Sequence, residues 1–232
     1  MIFADFLKAV SQIGDPRFRR VLWMGLGLSL ALLFGAYGLM LWGLQIFVPD
    51  SISLPWIGEV RSVGGLLSLA SLILMVILSV FLMVPVASAF CGLFLEDVAS
   101  AVEDRHYPAL PPAQPLPFGQ TLIDTANFVG LILVVNILGL AVYPFAGPFS
   151  PVLFWAINGF LLGREYFQLV ALRRLPRQQA KAMRRRYSAQ IWLAGTLMAA
   201  PLSIPLVNLL IPVLGAATFT HLFHRLAALP RD

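Results

Sequence analysis

Uncharged, apolar positions form four long runs that short polar blocks separate. These runs cover residues 21–48, 62–95, 125–163 and 187–224. A helix needs about 20 mostly apolar residues to cross the hydrocarbon core of a bilayer. Each run is long enough to enter a membrane, so the pattern predicts an all-α integral membrane protein.

The first two runs predict two long transmembrane helices, over residues 16–48 and 62–103. Asp15-Pro16 is typical of a helix start, with Asp15 as the N-cap and Pro16 in the first turn. Pro85 lies inside the second helix and predicts a kink there. The loop between the two helices, residues 49–61, carries one basic residue and is expected on the external side.

The last two runs are interrupted by prolines. The first of them is broken by Pro144, Gly147, Pro148 and Pro151, and the second is broken by Pro201, Pro205 and Pro212. Each half has roughly 14–19 residues, which is short for a complete span. Two interpretations stay open: four short spans, or two partly inserted helical hairpins over 125–163 and 187–226. A broken helix at membrane depth needs protein or water around it, so hairpins also predict an oligomeric assembly.

Two further segments predict amphipathic helices at the membrane surface. Residues 2–13 place apolar side chains at helical spacing but are too short to span a bilayer. Residues 164–186 form a basic interfacial segment, expected to bind anionic phospholipids. Its basic residues are Arg164, Arg173, Arg174, Arg177, Lys181, Arg184, Arg185 and Arg186.

Composition supports one membrane domain over residues 1–232. Hydrophobic residues make up 59% of the chain and charged residues only 12%, about half the charge of a soluble domain. A soluble enzyme and a disordered chain are therefore excluded.

The net charge of +5 comes from arginines beside the apolar runs, which favours lipid headgroups over nucleic acid as partners. Cys91 is the only cysteine, so the chain has no intrachain disulfide.

The first residues of the helix at 16–48 are the strongest candidate for chemistry. Free backbone N–H groups at a helix start favour anions, and guanidinium groups match the oxygens of a tetrahedral oxyanion. The helix opens with Arg17-Phe18-Arg19-Arg20, which combines both features. The alternative is that these arginines only anchor the helix to lipid headgroups.

Other polar residues give weaker signals. Arg164 and Glu165 are adjacent, so on a helix they need different partners and are expected to cap or pair at an interface. His221 and His224 lie on one helical face and could hold a metal, but no carboxylate or cysteine is expected near them. We therefore expect no metal and no cofactor. Phosphate-binding glycine loops, nucleophile elbows and paired intramembrane carboxylates are missing from the sequence, so no enzyme is predicted.

Several short motifs occur in an order that resembles a known family. They are Arg17-Phe18-Arg19-Arg20, the segment from Val84-Pro85 to Glu96-Asp97, Asn158-Gly159 through Tyr166-Phe167, and Asn208-Leu209 through Leu214-Gly215. Together they resemble the bacterial CysZ sulfate permeases and the wider etoposide-induced-protein-like membrane domain. The resemblance covers nearly the whole chain.

This resemblance implies an oligomeric, multi-pass protein of the bacterial inner membrane, with two long transmembrane helices and two partly inserted hairpins. It implies sulfate uptake by a permease or channel that feeds cysteine biosynthesis. The family's sulfate site is a Gly-Leu-Arg-Arg-like element, which matches Arg17, Phe18, Arg19 and Arg20 here. Arg17 stands where the family has Gly. Two alternatives remain: a non-transporting membrane scaffold, or a transporter of another oxyanion such as sulfite.

Overall fold

The computed structural model describes residues 2–47, 51–54, 58–61, 94–113 and 118–229, and these are almost entirely helical. The helices are α1 (Ile2–Ser11), α2 (Pro16–Phe47), α3 (Leu95–His106), α4 (Phe118–Ala146), α5 (Ser150–Leu172), α6 (Arg177–Arg186), α7 (Ser188–Ala199), α8 (Pro205–Asn208) and α9 (Ile211–Ala227). Short 3-10 turns at Gly147–Phe149 and Ala200–Ser203 follow α4 and α7.

The loop after α2 contains a short β-hairpin, which the all-α prediction did not include. Its strands are β1 (Ser51–Leu54) and β2 (Gly58–Arg61), paired antiparallel with Ser51 opposite Arg61. Ile52 and Val60 face each other in this register. Two strands of four residues are a local feature of the loop and leave the helical architecture unchanged.

Two stretches of the described chain are long and apolar enough to cross a membrane, Pro16–Leu39 and Asn127–Leu172. Large apolar side chains on both stretches are exposed, for example Phe34 and Leu140. A soluble protein would bury such a surface, so the exposure fits lipid contact. The predicted transmembrane helix over 62–103 falls mostly on residues 62–93, including Pro85 and Cys91, which lie outside the described residues.

The first proline-broken run bends at a glycine turn. Pro144 lies near the end of α4, Pro148 lies in the 3-10 turn, and Gly147 adopts a left-handed φ of 47°. A Cβ on Gly139 would lie 3.1 Å from Ile157 Cδ1, so α4 and α5 run back along each other beside the turn.

The arms of this run are longer than the sequence predicted. Helix α4 has 29 residues and α5 has 23, about 43 and 35 Å at the usual helical rise. The predicted end at residue 163 is wrong, because α5 continues for nine more residues to Leu172. Buried Phe167 and Val170 fix that extension in the core.

The second proline-broken run has short arms. Helix α7 has 12 residues and α9 has 17, both fewer than the about 20 residues of a typical full span. Between them lie the 3-10 turn Ala200–Ser203 and the single-turn helix α8, which begins at Pro205. Pro212 lies in the first turn of α9, where a proline is tolerated because its missing N–H is not needed.

Helix α9 forms the centre of the core. Every residue from 211 to 223 is buried, and α1, α3 and α5 pack around it. Helices α5 and α7 approach each other through Gly163, since a Cβ there would lie 2.6 Å from the Ile191 carbonyl oxygen. Gly215 similarly leaves room for the Tyr166 ring.

Candidate functional site

The side chain of Asp15 caps the start of α2. The backbone N–H of Arg17 donates to Asp15 Oδ1 over 2.9 Å, which confirms Asp15 as the predicted N-cap. Gln12 Nε2 donates to the other oxygen of Asp15 over 3.1 Å. Because the cap already uses this amide and brings a negative charge, an anion here must be held mainly by side chains.

The structure gives the four predicted sulfate ligands different surroundings. Phe18 is fully buried in the core, so only its backbone is within reach of an ion. Arg17 pairs with Asp104 of α3 over 2.5 Å, and both of these side chains are more than half exposed. Arg19 and Arg20 are exposed, and within the described residues neither forms an ion pair.

Sequence reasoning missed a group of buried charges, here called the Glu103 cluster: Glu103, Arg173, Arg174 and His224. Glu103 is 3% exposed. It accepts hydrogen bonds from Arg173 Nη2 (3.0 Å), from Arg174 Nη2 (2.7 Å) and Nε (2.9 Å), and lies 3.1 Å from His224 Nε2. One carboxylate therefore joins α3, the end of α5 and α9.

The electrostatics of this cluster favour an ionised Glu103. Burial by itself raises the pKa of the carboxyl group. Hydrogen bonds from His224 and Arg174 and the charges of both arginines outweigh that effect and lower the pKa of Glu103 to about 2. The carboxylate is thus charged at neutral pH and neutralises the guanidinium groups beside it.

The expectation that Arg173 faces lipid is wrong. Arg173 is 7% exposed, and it also donates to the Glu96 carbonyl oxygen (2.6 Å) and to Ser100 Oγ (2.7 Å). A second ion pair, between Arg225 and Asp5 over 2.9 Å, ties α9 to α1. These arginines hold the helical bundle together.

The two histidines of α9 also have partners that the sequence did not indicate. His224 contacts Glu103, and His221 Nδ1 lies 3.1 Å from the Tyr107 hydroxyl group. The prediction that no carboxylate lies near these histidines is therefore wrong, because Glu103 contacts His224 from α3. In the part of the chain that the structure describes, no three His, Cys, Asp or Glu residues converge as metal ligands.

Arg164 and Glu165 lie in the interior of α5, so the expectation that they cap a helix is wrong. Both line a cavity of about 750 Å³ between α4, α5 and α6. Arg164 also lines a second cavity, of about 440 Å³, beside α7.

The exposed apolar stretches, the proline-broken helices and the basic residues at their ends define a helical integral membrane protein. The chain belongs to the sulfate transporter CysZ/etoposide-induced protein 2.4 family, which it matches over residues 5–212. Membership indicates a sulfate transporter-like role. No curated protein matches the chain.

Proposed function

We propose that this protein takes up sulfate across the bacterial inner membrane as a multi-pass permease or channel that feeds cysteine biosynthesis. The family match over residues 5–212 supports this proposal. The exposed apolar surfaces of α2 and α4 support the membrane location.

The choice of site rests on two arginines at the start of a helix that are unpaired in the described chain. Four arginines of the bundle hold carboxylate partners, namely Arg17, Arg173, Arg174 and Arg225. Arg19 and Arg20 are exposed without an ion pair in the described structure, one turn into α2. The positive end of the helix dipole adds to their charge. Two planar guanidinium groups can supply paired hydrogen bonds to the oxygens of sulfate, so we assign them as its ligands.

The transport claim is tested with purified protein in liposomes of defined phospholipids. Radiolabelled sulfate should enter these liposomes faster than protein-free liposomes, and unlabelled sulfate should compete. If the protein inserts but carries neither sulfate nor sulfite, it is a scaffold and the proposal is wrong. If labelled sulfite enters and sulfate does not, the protein transports the other oxyanion.

We also propose that the second hairpin, residues 187–226, enters the membrane only partway. The lengths of α7 and α9, 12 and 17 residues, support this arrangement. The lengths of α4 and α5 do not favour partial insertion of the first hairpin, residues 125–163, because each arm is long enough to cross.

A cysteine at the exposed position of Ser203 tests the second hairpin, in a background with Cys91 replaced by serine. It should not react with a membrane-impermeant maleimide added from the external side. Free reaction from that side would show that the segment crosses completely.

A further inference from the structure

Three arginines line the cavity of about 440 Å³ where α5, α6 and α7 meet. They are Arg164, Arg184 and Arg185, and this space is called the arginine cavity. Arg184 and Arg185 come from the last turn of α6, and Arg164 comes from the middle of α5. The remaining lining is Phe160, Ser188, Ala189, Ile191 and Trp192.

The arginines of this cavity form no ion pair with the described chain, although Arg164 and Arg184 also border the larger cavity that Glu165 lines. Among the described residues, no carboxylate lines the arginine cavity itself, and none of the three guanidinium groups makes an ion pair or a hydrogen bond. Burial, and then the charges of Arg164 and Arg185, lower the pKa of Arg184. Like charges held this close repel each other, so an anion bound among them is stabilised.

The other wall of the cavity is apolar and open to the surroundings. Phe160 is 44% exposed and Trp192 is 42% exposed. Trp192 Nε1 already donates to the Ala156 carbonyl oxygen over 3.0 Å, which fixes the indole ring and uses its polar group. A ligand that contacts both walls therefore needs an oxyanion group attached to a hydrocarbon chain. A free inorganic anion would satisfy only the arginines.

We propose that the arginine cavity binds one anionic phospholipid, with the phosphate group among the three arginines and an acyl chain along Phe160 and Trp192. Guanidinium groups bind phosphate oxygens through charge-assisted hydrogen bonds, and basic pockets between membrane helices suit anionic headgroups. This site is separate from the start of α2 and does not depend on the sulfate proposal.

Native mass spectrometry of the purified protein in mild detergent tests the proposal. Phosphatidylglycerol and phosphatidylcholine with identical acyl chains are titrated in competition, and we expect the parent protein to retain phosphatidylglycerol preferentially. Arg185→Gln removes one exposed ligand and should weaken that retention by about tenfold. The control Arg105→Gln removes the same charge from an exposed position on α3 and should leave retention unchanged.

A second variant tests the charge of the cavity without removing an arginine. Ser188→Asp places a carboxylate among the arginines at the first position of α7, where an acidic residue also favours the helix. It should fold like the parent and lose phosphatidylglycerol. The proposal is overturned if both variants retain this lipid as well as the control does. It is equally overturned if the parent protein shows no preference between the two phospholipids, or if inorganic sulfate added to the same titration displaces phosphatidylglycerol.

Discussion

Glu103 neutralises two arginines in a region where water has little access. Glu103→Gln keeps the shape of the side chain but leaves Arg173 and Arg174 without a counter-charge. Removing one partner of a buried ion pair typically destabilises a protein by about 3–5 kcal/mol. We expect a clear loss of thermal stability in detergent. Glu96→Gln is the matched control, because the Glu96 side chain is exposed and Arg173 uses only its backbone carbonyl oxygen. Equal melting temperatures for both variants would contradict this role.

The pKa of Glu103 gives the stability a defined pH dependence. This pKa falls from its ordinary 4.5 to about 2 in the folded protein. The stabilisation from its charge is therefore complete above pH 4.5 and is lost as the pH falls through about 2. Thermal unfolding measured across this range should show a smaller loss of stability in Glu103→Gln than in the parent. Identical pH profiles would show that Glu103 is not the titrating group.

At the residue scale, local chemistry was predictable from the sequence and long-range pairing was not. The Asp15 cap joins residues only two positions apart, so the types of residue at positions 15 and 16 were sufficient to predict it. Glu103 and Arg173 are separated by 70 positions. Nothing in the local pattern distinguishes a basic residue that pairs inside the bundle from one that faces lipid headgroups.

At the element scale, the contact between α5 and α7 depends on glycine. In Gly163→Ala the new methyl group would lie 2.6 Å from the Ile191 carbonyl oxygen, so the two backbones must move apart. Overpacking of this kind destabilises by about 1–3 kcal/mol. Gly130→Ala is the control, since that position on α4 is exposed and has open space around it. We expect thermal melting in detergent to show a loss only for Gly163→Ala, and unchanged melting of this variant would contradict the close contact.

Helix breaks were easier to predict than helix lengths. The turns at Gly147–Phe149 and Ala200–Ser203 lie where the prolines indicated, because proline disrupts a helix through local geometry. The extension of α5 past residue 163 was not predictable from apolar length. Charged residues stay helical there because buried Phe167 and Val170 on the same helix pack in the core. The β-hairpin was missed because each strand has only four residues.

At the scale of the whole molecule, we expect a homo-oligomer. A methyl group added at Gly27, Gly35 or Gly38 of α2 would meet no atom of the described chain within 4 Å. Small residues on a membrane helix allow another helix to approach closely, so these glycines suit helix packing between copies. Crosslinking and native mass spectrometry in mild detergent should show more than one chain per particle. A monomer that retains full sulfate transport in liposomes would contradict this prediction.

The sulfate affinity of arginine variants decides whether Arg19 and Arg20 form the sulfate site. Each charged hydrogen bond contributes about 1.5–3 kcal/mol, so Arg19→Ala and Arg20→Ala should each weaken equilibrium sulfate binding roughly tenfold to a hundredfold. Arg19→Lys should restore part of that affinity, because it keeps the charge but loses the planar fork. Arg177→Ala, in the basic helix α6, is the control and should bind sulfate like the parent. If both alanine variants also bind sulfate like the parent, the two arginines are lipid anchors and the site lies elsewhere.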